Sequence, residues 1–152
     1  MEDRTVVVPI DMSEFSLKAV QTADSLVPDR KQLRIIYVLP VIEPAEPGVL
    51  WTTIDERERL EHADEALAKF LEDHGYSDLD VETRLGDAGH EIVAYAEEID
   101  AGLIVISSHG RNVFQRMLLG SVTDRVVHLG HCPILVLKEK RESSKQEHSE
   151  SK

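Results

Sequence analysis

Cysteine is nearly missing from this 152-residue chain: Cys132 stands alone, so an intrachain disulfide framework is excluded and a reducing compartment is expected. Long apolar runs are missing as well. None approaches the roughly 18 residues that cross a bilayer, and Met1-Glu2-Asp3-Arg4 leads straight into a strand-like run without a signal-peptide pattern. Both absences point to a cytoplasmic protein and away from a membrane. Positive charge is scarce, with 17 basic residues against 29 acidic ones and a net charge of −12, which argues against neutralising the phosphates of DNA or RNA.

Several catalytic signatures are also lacking. There is no G-x-x-x-x-G-K-[S/T] phosphate loop, no G-x-G-x-x-G fingerprint and no G-x-S-x-G elbow. A phosphate-accepting receiver would want clustered acids after the first strand, where this chain offers Asp11 alone. His128, His131 and Cys132 lie close together, but no second ligand pair accompanies them, so no metal is expected. An enzyme is therefore the class these residues support least, with slow hydrolysis as the most that is expected.

What is present is a strand and helix alternation with 41% hydrophobic residues, enough for one core. Residues 6–10 and 103–106 are continuous apolar runs, as expected of central strands buried on both faces. Residues 33–39 read as a second strand, and residues 133–137 as a fifth. In 79–85, Val81, Thr83 and Leu85 alternate with Asp80, Glu82 and Arg84, the pattern of a half-exposed edge strand. Helices fall between them. Ser13 caps the first, with Phe15, Ala19, Ala23 and Leu26 inward; Leu60, Ala63, Leu67, Phe70 and Leu71 face inward on the second, ended by Gly75. Asp87 caps the third, with Ala88, Ile92, Ala96 and Ile99 inward, and Val122, Val126 and Leu129 line the fourth. The proline-rich stretch 40–51 reads as a loop long enough for a lid or partner surface. Residues 1–138 are expected to form one domain, followed by a polar, disordered tail at 139–152.

This pattern predicts a three-layer α/β fold, an open parallel five-stranded sheet with helices on both faces. Ligands of such sheets sit beyond the strand carboxyl ends, where strand order reverses. With strands 1 and 4 as neighbours, Pro9-Ile10-Asp11 meets the stretch 107–123, and Asp11 can accept from a sugar hydroxyl. That stretch is the most informative in the chain. Gly110 and Gly120 allow close backbone approach, and Gly120-Ser121 opens a helix whose first amides lack partners, a place for a phosphate. Ser121 suits a cap of that helix and a donor to a phosphate oxygen.

The residues Val6-Val7-Val8-Pro9-Ile10-Asp11, Tyr37-Val38-Leu39-Pro40, Gly86-Asp87, Gly120-Ser121 and Cys132-Pro133-Ile134-Leu135-Val136 together resemble those of the universal stress proteins of the small single-domain type, across residues 5–137. The resemblance implies strand order 3-2-1-4-5, an arrangement like that of the adenine nucleotide alpha hydrolases, homodimers and, in the nucleotide-binding branch, bound ATP, with or without Mg2+. That branch carries G-x-x-G-x9-G-[S/T]; Gly110, Gly120 and Ser121 match it, but Ser107 stands at the first glycine. Carried over by position, the resemblance puts Asp11 at the ribose with Pro9 and Ile10 beside it, and the Val38 backbone at the adenine. It puts Gly110, Arg111, Gly120, Ser121 and Val122 around the phosphates with Ser108, His109 and Thr123 as their neighbours, and it puts Ser107 close to the ribose, where a side chain either crowds the sugar or contacts it.

Competing readings accompany these assignments: Asp11 as a mere cap of the first helix, the glycines as shapers of a tight loop. Two functions follow, an ATP-binding regulator of the stress response acting through conformation or dimerisation, or a dimeric interaction module that no longer binds nucleotide. The fifth strand adds a physical argument for pairing: Pro133, Ile134, Leu135, Val136 and Leu137 at a sheet edge invite cover by a second copy.

Overall fold

A computed structural model describes residues 4–41, 56–109 and 119–138. The loop residues 42–51, the stretch 110–118 with Gly110 and Arg111, and the tail 139–152 lie outside the described residues.

The elements run β1 (Val6–Pro9), α1 (Glu14–Leu26), β2 (Leu33–Leu39), α2 (Glu56–Asp73), β3 (Asp80–Leu85), α3 (Ala88–Glu98), β4 (Leu103–Ser107), α4 (Ser121–Leu129) and β5 (Ile134–Leu137). All strand pairs are parallel, in the order β3-β2-β1-β4-β5 that the sequence led us to expect. β1 and β4 are interior. Val7, Val8, Ile35, Ile36, Ile104 and Val105 have no exposed surface, and burying each such side chain contributes about 1.5–3 kcal/mol.

Two apolar layers flank the sheet. Val8, Leu33, Ile35 and Val105 point to one face, where Ala19, Val20 and Ala23 of α1 and Leu67 and Leu71 of α2 cover them. On the other face Val7, Ile36, Ile104 and Ile106 meet Ile92, Val93 and Ala96 of α3 and Val126 of α4.

Helix faces depart from the expected stripes in two places. In α1 the buried residues are Ser16, Ala19, Val20 and Ala23, while Leu26 is 53% exposed. Small side chains let that face sit close to the sheet, and the Ser16 hydroxyl is satisfied by donating to the Ser13 carbonyl. In α4 Thr123 and Val126 are buried, whereas Val122 and Leu129 are not. Strand limits also shift: β1 ends at Pro9 and not at Ile10, β3 starts at Asp80 and not at Leu79, and Pro133 precedes β5.

Helix ends follow local chemistry. Ser13 accepts from the Ser16 N–H and Asp87 from the His90 N–H. Gly75, at φ 81°, closes α2 with paired bonds, Gly75 N–H to Glu72 O and Tyr76 N–H to Leu71 O. The same pair of bonds closes α3 around Asp100, a residue with a Cβ at φ 51°.

Candidate functional site

The sheet opens where β1 ends, and one residue type explains where. Ile10 N–H donates to Ile36 O, so Pro9, one residue earlier, faces β4, and it has no N–H to give. The β1–β4 ladder accordingly stops after Val7 opposite Ile104, while β4 runs on to Ser107. On the other side β2 outlasts β1. Ile36 turns its carbonyl toward β1, and Val38, two residues on, turns its own N–H and C=O to the same side, past the last β1 bond. A donor and an acceptor thus stand side by side on one backbone edge.

Facing this gap, α4 begins without a side-chain cap. Gly120 holds the N-cap position, so Ser121 is the first helical residue and not the cap that the sequence suggested. Gly120 N–H donates to Ser108 O at 2.7 Å, which leaves the first-turn amides of Ser121, Val122 and Thr123 as the ones lacking intrahelical partners. A Cβ at Gly120 would come within 3.3 Å of Ser108 O, so glycine permits the close approach.

Asp11 does not cap α1; Ser13 does. The Asp11 carboxylate accepts from both the N–H and the hydroxyl of Ser13, which holds the capping residue in place. Between them Met12 sits at φ 62°, a left-handed conformation that turns the chain sharply out of the sheet.

Ser107, Ser108 and His109 form the exit from β4. Ser107 Oγ donates to His109 O at 3.0 Å, and the Ser107 carbonyl accepts from Thr123 Oγ1 at 2.8 Å. Ser108 is buried, its hydroxyl 2.9 Å from His109 Nδ1 and its N–H bonded to Leu137 O.

These parts enclose a cleft of about 560 Å³, within the range of about 300–1,000 Å³ usual for small-molecule sites. Pro9, Ile10, Asp11, Val38, Ser107, Gly120, Ser121, Val122 and Thr123 all line it, whereas Ser108 does not. Its floor is apolar, made by Ile10, Ile36, Val38, Ile92 and Ile106.

The universal stress protein family model matches residues 3–138. The chain belongs to the universal stress protein family. It is 34% identical over 142 residues to a universal stress protein of Methanocaldococcus jannaschii, covering 89% of this chain and 82% of that one. It is 30% identical over 148 residues to the universal stress protein YxiE of Bacillus subtilis, covering 88% and 97%. Its fold is similar to that of the universal stress protein UspA from Lactobacillus plantarum, with a TM-score of 0.72 and 23% identity over 90% of this chain and 99% of that one. It is also similar to a universal stress protein solved in complex with cAMP, with a TM-score of 0.55 and 22% identity over 90% and 98%.

In this universal stress protein fold the cleft gains a wall that the sequence reading did not assign to it: Gly86, Asp87 and Ala88, from the β3–α3 junction. Asp87 had been assigned only a capping role, and the rule that ligands gather at strand carboxyl ends was the signal that could have placed it here. Its carboxylate takes the His90 N–H, the His90 ring and, at 2.7 Å, Arg125 Nη1. These donors, the His90 backbone foremost, hold its pKa down to about 2. Among the described cleft residues Asp11 and Asp87 are the charged ones, and the groups there that favour an anion are the α4 amides.

No helix among the described residues is long and apolar enough to cross a membrane.

Proposed function

We propose that this universal stress protein binds ATP in the cleft and works as a cytoplasmic regulator of the stress response, its conformation or pairing set by the nucleotide. The observation that carries the reading is one cleft in which a backbone donor and acceptor at Val38 share an apolar floor with the uncapped amino end of α4. Adenine presents a ring-nitrogen acceptor beside an amino donor, which matches the Val38 pair, and its rings suit Ile36, Ile92 and Ile106. Asp11 accepts from the ribose, beside Pro9 and Ile10. The phosphates lie against the amides of Ser121, Val122 and Thr123, where the helix dipole favours negative charge, with Gly110 and Arg111 assigned to them by the family resemblance and Mg2+ as counter-ion. The similar protein solved with cAMP supports an adenine nucleotide as the ligand class. Binding need not involve chemistry: a ligand with unequal affinity for two conformations shifts their populations.

The same reading includes a homodimer through β5. Leu135 is 37% exposed on this edge strand, and a second copy laid along it would cover both the side chain and the open backbone.

Denaturing the purified protein, identifying any released small molecule and then titrating the nucleotide-free protein with ATP, AMP and cAMP tests the proposal. Released or titrating ATP is the expected result. Absence of both would favour an interaction module without nucleotide, the reading that Ser107 in place of glycine supports.

A further inference from the structure

We infer that Ser107 and Thr123 are paired positioning residues that set the amino end of α4 for a phosphate, an inference that rests on the nucleotide reading above. It starts from an orphan carbonyl. Because Pro9 ends the β1–β4 ladder, the Ser107 C=O, which faces the β1 side, has no strand beyond that point to bond with. Thr123, 4% exposed and in the first turn of α4, donates its hydroxyl to that carbonyl across 16 residues of chain. A threonine hydroxyl in a helix ordinarily turns back on its own helix; this one ties the helix to the sheet.

The next carbonyl is tied too. Ser108 O accepts Gly120 N–H, so two successive carbonyls at the end of β4 grip the N-cap and the first turn of α4. On the far side Ser108 N–H donates to Leu137 O of β5, which fixes the same peptide to the sheet. The amides of Ser121, Val122 and Thr123 therefore hold their directions before any ligand arrives. Such preorganisation raises affinity by lowering the cost of ordering on binding.

Ser107 fits this scheme where the nucleotide-binding loop pattern has glycine. Its hydroxyl closes on His109 O, two residues along, and so fixes the turn that leaves β4. In that geometry the hydroxyl proton is committed to the protein's own backbone. The residue works through the loop and helix it holds.

The test compares ATP with adenosine, which shares the base and ribose but lacks phosphate, on the full chain. Thr123→Val keeps the buried shape and removes the hydroxyl donor; ATP affinity is expected to fall about tenfold, the worth of roughly one hydrogen bond, with adenosine affinity unchanged. Thr123→Ser restores the donor and should bring ATP affinity back to within about twofold. Ser107→Ala removes the bond to His109 O and should weaken ATP binding selectively as well, and it carries the comparison if Thr123→Val does not fold. An unmodified protein that binds ATP, with Thr123→Val binding it equally tightly, overturns the inference and leaves the nucleotide reading standing. Equal losses for ATP and adenosine also overturn it, since they mark a general structural fault. An unmodified protein that binds neither ligand defeats the nucleotide reading and this inference together.

Discussion

Arg125 reaches from α4 to the carboxylate of Asp87, the residue that caps α3, 2.7 Å away, and it does so across Gly89, where an added Cβ would lie 2.6 Å from the arginine Cδ. Glycine at a helix's second position is thus explained by what passes over it. Alanine is better than glycine in a helix by about 1 kcal/mol, yet Gly89→Ala should lower stability by about 1 kcal/mol or more because Arg125 must move and the ion pair breaks. Repeating the substitution in an Arg125→Gly background, which removes the Cδ, Cγ and Cβ that the new methyl would meet at 2.6, 2.8 and 2.9 Å, should reverse its sign. Urea unfolding of the four proteins measures this, and the same sign in both backgrounds would refute the account.

Asp87 also links stability to acid. Its folded pKa is depressed from an ordinary 3.8 to about 2, so its contribution is complete above pH 4 and disappears as the pH falls toward 2. The carboxylate is about half exposed, so solvent screening leaves the effect at about 1 kcal/mol. Asp87→Asn should be less stable at neutral pH and should show a flatter loss between pH 4 and 2. Thermal melts across that range would decide, and parallel curves for the two proteins would contradict the assignment.

Asp100 offers a gain. It occupies the left-handed position after α3, which costs a residue with a Cβ about 1 kcal/mol and costs glycine little. Asp100→Gly is expected to raise the unfolding free energy by about 0.5–1 kcal/mol in urea titration. A loss of stability would show that the aspartate side chain has a role of its own.

For the proposed ligand, Gly120→Val should abolish ATP binding, since even a Cβ comes within 3.3 Å of Ser108 O and the branched side chain adds bulk at the helix start. Calorimetric titration beside the unmodified protein is the check. Normal affinity would remove the phosphates from α4.

For the proposed dimer, Leu135→Lys places a charge on the exposed face of β5 and should convert dimer to monomer. Light scattering reads the mass, and an unchanged dimer would put the interface elsewhere.

Much of this architecture was legible because it follows from periodicity. Continuous apolar runs in β1 and β4 meant burial on both faces, and the alternation in β3 meant an edge. Asp87 and Ser13 read correctly as caps because capping is local chemistry. What stayed hidden depends on distant parts of the chain. Leu26 matched a helical stripe yet ended up exposed, since small residues at 16, 19 and 23 decided which side met the sheet. Ser121 looked like a cap until Gly120, drawn to Ser108 O, took that position. The hydroxyl of Thr123 finds a carbonyl 16 residues away, a partner no short window of sequence could name.

The Val38 pair belongs to the peptide chain itself. Swapping valine there for another strand-forming residue would leave both groups where they are, whereas proline would delete the donor. Side-chain identity at that position is therefore a poor guide to which relatives share the proposed ligand; the length by which the second strand overshoots the first is the better one.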